Sequence, residues 1–311
     1  MRISTTAVMC GIAMLTVAPV ASGCAQAHIA PPPSAQQQSR AAEQTRTAGS
    51  LSASLDGLAF VRDGRLYRVS GGVATEIVRD GRSKLGVVSA GAGALLVTEE
   101  HGDGADVVYL RGMGTKSTRM LLHVAEASTL LGERLGRSSG QLYRAMQGDP
   151  AARLLKSPLD APSNVTTLSL AGAFSGEFDV NGADDTLVYT SATQNPTRLL
   201  VVESPQRTRE LTAGLAAIFT PDVAGSGDRI CFTGQQRTGD PIALWVFDLQ
   251  RDALRRLASA VGLKPTHPVF SEDGSWIAFR GGGDGALHVV RADGSGLHTL
   301  PFSADDATLA W

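Results

Sequence analysis

Few stretches of this 311-residue chain combine the residue types and spacing that chemistry needs. Gly136-Arg137-Ser138-Ser139-Gly140 satisfies G-x-S-x-G, the pattern that exposes a serine nucleophile on a sharp strand-to-helix turn. Here it lies between two short strand-like stretches with no helical pattern after it, so it reads as a chance match. His101-Gly102-Asp103-Gly104-Ala105-Asp106 and Gly239-Asp240 carry oxygen donors. A calcium site needs several oxygens converging on one ion, and neither stretch supplies them, so no metal is expected. No His–Cys–Asp cluster surrounds His101 or His267, and neither receives a catalytic role. Three cysteines, Cys10, Cys24 and Cys231, form neither a disulfide framework nor a metal-ligand set. Cys231 lies in an apolar stretch and is expected to be a buried, inert thiol. No catalytic residue and no cofactor is assigned. The 28 basic residues balance 30 acidic ones, which excludes a nucleic-acid binder that works by neutralising phosphates.

The elements that would position a site are short strands joined by Gly-rich turns. His267-Pro268-Val269-Phe270 is an apolar strand, followed by the turn Ser271-Glu272-Asp273-Gly274 and a second strand at Trp276-Ile277-Ala278-Phe279. A third strand, Leu287-His288-Val289-Val290, and a fourth, Leu297 to Phe302, flank Ala292-Asp293-Gly294-Ser295-Gly296. Asp273-Gly274 and Asp293-Gly294 are turn makers, supplying positive φ and side-chain-to-backbone bonds. Four such strands make an antiparallel meander. The unit recurs, with third strands aligned on Leu66, Val108, Leu142, Leu199, Leu244 and Leu287, at steps of 42, 34, 57, 45 and 43. A period of about 40–45 with four strands per unit is the spacing of propeller blades. The unit around Leu142 is degenerate. Its second strand is expected near Thr129–Leu135, its first has no clear place, and the 57-residue step implies an insertion within Ser157–Gly176. The first unit starts at its second strand, Leu58-Ala59-Phe60, and Leu309-Ala310-Trp311 reads as a first strand with nothing after it. Joining the two closes the ring and removes exposed edges. The expected fold is all-β: a six-bladed propeller over 51–311, with four-stranded antiparallel blades and closure by strands from both termini.

The run Pro268-Val269-Phe270-Ser271-Glu272-Asp273-Gly274-Ser275-Trp276-Ile277-Ala278-Phe279, with Ala292-Asp293-Gly294-Ser295-Gly296-Leu297 after it, resembles the repeat of TolB-type six-bladed propellers. The resemblance covers about residues 51–311, strongest in the last blade, and lacks the α/β domain that precedes the propeller in TolB. It implies protein partners. In propellers the loops entering each inner strand and those between second and third strands share one face, which commonly binds. On that reading Arg82, Lys84, His101, Asp103, Arg237, Asp240, Lys264 and His267 belong to one binding rim.

The N-terminus is an address. Met1-Arg2, an apolar run from Ala7 to Val20 and the small residues before Cys24 describe a signal peptide over 1–23. Ala21-Ser22-Gly23-Cys24 resembles the lipobox of bacterial lipoproteins, in which the cysteine becomes the first mature residue and its sulfur carries lipid. Ordinary cleavage near Ala25 or Ala27, releasing a soluble protein, is the alternative. Residues 24–50, with Pro31-Pro32-Pro33 and Gln36-Gln37-Gln38, have the composition of a disordered tether. The expectation is a lipid-anchored envelope protein outside the cytoplasm, touching the membrane through its lipid only, whose ring is a non-catalytic scaffold for envelope or periplasmic proteins. A receptor for a small ligand or glycan in the channel is the alternative, and a propeller-type hydrolase or lyase the third reading.

Overall fold

A computed structural model of the chain describes residues 52, 54–111, 118–126, 130–149, 151–191, 197–204, 207–211, 214–257, 260, 262–305 and 309–311. The signal segment 1–23, Cys24 and the tether expected over 24–50 lie outside these residues.

Short strands follow one another, each pairing antiparallel with the next. Blade one holds β1 (Ala59–Arg62), β2 (Arg65–Ser70) and β3 (Val73–Glu76). Blade two holds β4 (Lys84–Gly91), β5 (Ala94–His101), β6 (Gly104–Leu110) and β7 (Thr118–Val124). Blade three is β8 (Leu130–Gly136), β9 (Gln141–Met146), β10 (Arg153–Pro158) and β11 (Thr166–Thr167). Blade four is β12 (Phe174–Val180), β13 (Leu187–Ser191), β14 (Arg198–Ser204) and β15 (Arg207–Glu210). Blade five is β16 (Ala217–Val223), β17 (Arg229–Gln235), β18 (Ala243–Asp248) and β19 (Ala253–Arg256), and blade six is β20 (Pro265–Phe270), β21 (Trp276–Gly281), β22 (Ala286–Arg291) and β23 (His298–Ser303). Ala310 pairs antiparallel with Ala59 and supplies the missing inner strand of blade one. The protein is therefore an all-β, six-bladed propeller closed by both ends of the described chain.

Burial explains the strand composition. Second strands are covered on both faces by neighbouring blades, so β5, β13, β17 and β21 each carry three or four consecutive apolar residues. Outer strands are sheet edges. β3, β15 and β19 are four residues long and half-exposed or exposed, and charges in β15 and β19 blunt the edge against pairing with other chains. The apolar core falls into six clusters among the described residues, one between each pair of blades. Phe60, Val69, Val269, Trp276, Leu287 and Leu309 make the one that seals blade six to blade one.

The degenerate blade needs correction. Leu142 sits in β9, the second strand, and the stretch expected as the second strand is the first, β8. The third strand is β10, whose Leu154 carbonyl accepts the Leu168 N–H at 2.9 Å, as the Leu199 and Leu244 carbonyls accept those of Leu211 and Leu257. In blade two the matched residue is Val107, paired with Thr98 as Leu199 is with Thr190 and Leu244 with Thr233. Aligned on Leu66, Val107, Leu154, Leu199, Leu244 and Leu287, the steps become 41, 47, 45, 45 and 43. No insertion remains. The slip arose because β10 has only Leu154 and Leu155 as large apolar residues, and because β11 is two residues long, so 159–173 looked like extra chain.

Candidate functional site

The first strand of each blade lines the central channel as an edge, with backbone groups turned inward. Matched positions on three successive inner strands hold Arg134 (β8), Asp179 (β12) and Asp222 (β16), each one residue before a matched inner-strand position (Leu135, Val180 and Val223). The carboxylates reach sideways to the next blade. Asp179 accepts the Val223 N–H at 2.7 Å, and Asp222 accepts the Phe270 N–H at 2.8 Å. Glu177 accepts the Thr220 N–H at 3.1 Å. Each satisfies a backbone donor that an inner edge would otherwise leave unpaired. Arg134 Nε donates to Asp179 at 2.6 Å. Burial pushes both carboxyls up, opposed for Asp179 by Arg134, while the Asp179 charge raises Asp222 further, so Asp222 lies well above the ordinary carboxylate range. The arrangement fastens blades together.

The inner strands are also bent at this level. Ladder register shifts occur in β12, β16 and β20. There Gly176, Thr220 and His267 take φ of 101°, 47° and 48°. A β-branched residue at positive φ is strained, and the bulges aim neighbouring side chains into the channel. Below the Arg134–Asp222 level, toward the turns between first and second strands, lies a cavity of about 300 Å³ lined by Arg68, Arg137, Asp179 and Glu272 among others. Above it, a smaller cavity of about 170 Å³ opens between Leu131, Glu177, Thr220 and His267. Arg134, Asp222 and Leu309 line both.

The upper face is the one on which the inner strands begin and the second and third strands turn. All eight residues expected at a rim sit at this end by strand order. Arg82, Lys84 and His101 converge through two acids that the sequence reading passed over. Glu99 and Asp106 face each other across β5 and β6, and His123 on β7 faces Asp106. Arg82 Nη1 bonds Glu99 at 2.7 Å and Asp106 at 3.1 Å. Lys84, 3% exposed, is held by Asp80 at 2.7 Å and Glu99 at 2.6 Å. It is therefore a buried structural cation, not a rim contact. His101 and His123 place Nδ1 at 2.7 and 2.8 Å from the two Asp106 oxygens. Burial alone would raise the Asp106 carboxyl, but the two imidazoles bring it below its ordinary value. Asp103 sits at the exposed tip of the β5–β6 turn. Arg237 and Asp240 pair within one loop, the Arg237 N–H donating to Asp240 at 3.0 Å. Lys264 and His267 bracket the start of β20, both at positive φ. The eight thus split into a blade-two cluster and separate groups on blades five and six. Leu85 and Leu131, the second residues of adjacent inner strands, are 43% and 42% exposed at this mouth.

Two signals for the missed residues were present. Phe178-Asp179-Val180 and Pro221-Asp222-Val223 repeat an acid between apolar neighbours 43 residues apart. Glu99 and Asp106 likewise interrupt apolar strands. His123 gave no such sign, because only strand pairing brings it to Asp106.

No protein-family model and no curated protein sequence matches this chain. Solved structures do match its shape. TolB from Acinetobacter baumannii superposes with a TM-score of 0.66 at 14% identity, over 82% of this chain and 66% of that one. A TolB structure from Agrobacterium tumefaciens gives 0.52 at 17% identity, over 60% of this chain and 66% of that one. A chain of the nidogen/laminin complex gives 0.61 at 10% identity, over 81% of this chain and 97% of that one. This chain therefore spans just under two thirds of each TolB chain, and the likeness is one of fold: the protein is a six-bladed β-propeller similar in shape to these structures.

Proposed function

We propose that the ring is a non-catalytic scaffold that binds a protein partner on its upper face, held outside the cytoplasm at the bacterial envelope by a lipid on Cys24. One observation carries the binding face. Leu85 and Leu131, on adjacent inner strands, expose apolar side chains at the channel mouth, on the same face as the charged residues Arg82 and His101 of blade two and the Arg237–Asp240 loop of blade five. An apolar centre with a polar rim is the anatomy of a protein interface. The channel acids support the same reading, since Asp179, Asp222 and Glu177 are engaged by backbone amides of the next blade. The TolB-type fold adds support for a protein partner, and the 24–50 tether would give the ring reach from the membrane.

Crosslinking and pull-down from intact envelopes test this, with a Leu85→Asp/Leu131→Asp variant as control. A partner recovered with the wild-type chain and lost with the variant, at unchanged melting temperature, supports the scaffold. Recovery of no partner, together with a saturable thermal shift by a small molecule, transfers the function to the channel and its 300 Å³ cavity. For the anchor, Cys24→Ser should leave the membrane fraction; a variant that stays bound as before refutes lipidation.

A further inference from the structure

We propose that His101, Asp106 and His123 form a binding site for one divalent transition-metal ion of the zinc type, on the upper face of blade two. This stands independently of the scaffold reading. The three donors come from neighbouring strands of one sheet. Asp106 on β6 lies opposite His123 on β7, and His101 lies two residues beyond Glu99, which faces Asp106 from β5. Alternation puts His101 and Glu99 on the same face, so an imidazole flanks the carboxylate on each side. All three ligand atoms lie within 4.8 Å of one another. Two imidazoles and one carboxylate suit zinc and its borderline neighbours rather than calcium or magnesium.

The geometry needs little adjustment. Tetrahedral ligands at the zinc distances of about 2.0–2.1 Å are roughly 3.3 Å apart. His101 Nδ1 now sits 2.7 Å from one Asp106 oxygen and His123 Nδ1 2.8 Å from the other, with all three ligand atoms within 4.8 Å of one another, so shifts of the two rings on the scale of an ångström bring the donors to tetrahedral spacing around one ion. Both imidazoles are about half exposed, while Asp106 is 1% exposed. The carboxylate is thus a fixed anchor, the rings are adjustable, and the fourth position faces water.

Two further observations point the same way. A Cβ on Gly104 would stand 2.8 Å from the His123 ring and 2.3 Å from the Val124 carbonyl. Gly104 is not among the residues at positive φ, so the position is kept bare for space, which the His123 ring shares with the Val124 and Ala125 carbonyls. The second is charge. Asp80, Glu99 and Asp106 are three carboxylates linked to two permanent cations, Arg82 and Lys84. One negative charge is left over beside two imidazoles. Arg82 is the internal competitor. Its guanidinium bonds Asp106 at 3.1 Å but bonds Glu99 more closely, at 2.7 Å. An arriving cation displaces it onto Glu99.

The test is titration of the tag-free full chain, in detergent, with Co²⁺ followed by its visible d–d absorption, then displacement by Zn²⁺. One equivalent should bind. His101→Ala and His123→Ala should each weaken it about tenfold or more, Arg82→Ala should tighten it, and Asp103→Ala in the adjacent turn should leave it unchanged. The histidine variants alter half-exposed rings and are checked for an unchanged melting temperature. Absence of saturable Co²⁺ and Zn²⁺ binding, or binding indifferent to both histidine substitutions, overturns the site.

Discussion

Deleting 309–311 should weaken the closure of the ring, and the structure gives the cost. The segment supplies the inner strand of blade one. Ala59 N–H donates to the Ala310 carbonyl at 2.7 Å, and Ala310 N–H to the Ala59 carbonyl at 3.0 Å. Each bond is worth about 1 kcal/mol net. Leu309, 5% exposed, packs in the cluster that joins blades six and one, and its burial adds about 1.5–3 kcal/mol. Trp311 Nε1 reaches the Asp56 carbonyl at 3.3 Å. Together the loss is on the order of 5 kcal/mol, comparable to the whole stability of a marginal domain. For a chain of this size about 2–4 °C of melting temperature goes with each kcal/mol, so a fall of roughly 10–20 °C is expected by circular dichroism. The fall stops short of complete unfolding because a second seal remains. Asp305 accepts the Gly64 N–H at 3.1 Å and donates its own N–H to the Val61 carbonyl at 2.9 Å. Leu309→Ala alone should cost about 2–5 kcal/mol. If the deletion melts like the full chain, the closure described here does not hold the ring.

Other perturbations separate structural charge from functional charge. A carboxyl whose folded pKa is raised binds protons more tightly in the native state, so its contribution is lost as pH rises through the folded value. Burial and the neighbouring Asp179 charge raise Asp222. Asp222→Asn keeps an acceptor for the Phe270 N–H and should therefore gain stability relative to wild type as pH rises above the ordinary carboxylate range; urea midpoints of the two proteins that run parallel across that rise would refute this. Lys84→Met leaves Glu99 buried with only the half-exposed Arg82 as cation, and should cost about 3 kcal/mol in urea unfolding. Adding Glu99→Leu should recover much of that. Cys231 is fully buried, and burial pushes its thiol well above the usual range. The peptide carrying it should resist iodoacetamide until the protein unfolds, as followed by mass spectrometry.

The ring was legible because its determinants are local and repeated. The Asp-Gly turns, the doubly covered second strands and the spacing of Leu66, Leu199, Leu244 and Leu287 all follow from sequence. Blade three was misplaced by one strand because the pattern rests on apolar runs. β10 is half polar and β11 carries only Thr166-Thr167. The upper-face grouping of Arg82, Lys84 and His101 followed from loop order, but their chemistry did not. Lys84 looked like a loop cation and is buried, because Glu99 and Asp80 enclose it. Asp106 and His123 are 17 residues apart and meet only through the β6–β7 register.

Departure from the repeat is itself informative. Features that build the ring recur: Asp179 and Asp222 fasten successive blades by the same bond to the next inner strand, and Gly176, Thr220 and His267 bend three inner strands at one level. The position just before the matched third-strand residue also has a structural form. In blades one, three and four it is Arg65, Arg153 and Arg198. Arg65 and Arg198 pair with a glutamate on the outer strand, Glu76 at 4.0 Å and Glu210 at 2.8 Å. Blade two inverts this arrangement, with the acid Asp106 on the third strand and His123 on the outer one. An exposed arginine–glutamate pair contributes little and tolerates exchange. Sinking the acid to near-complete burial and facing it with two half-exposed imidazoles adds desolvation that the ring does not need for closure. Among the described residues, that sets blade two apart from the arginine form of blades one, three and four and from the alanines Ala243 and Ala286 of blades five and six, as a bound cation at Asp106 would require.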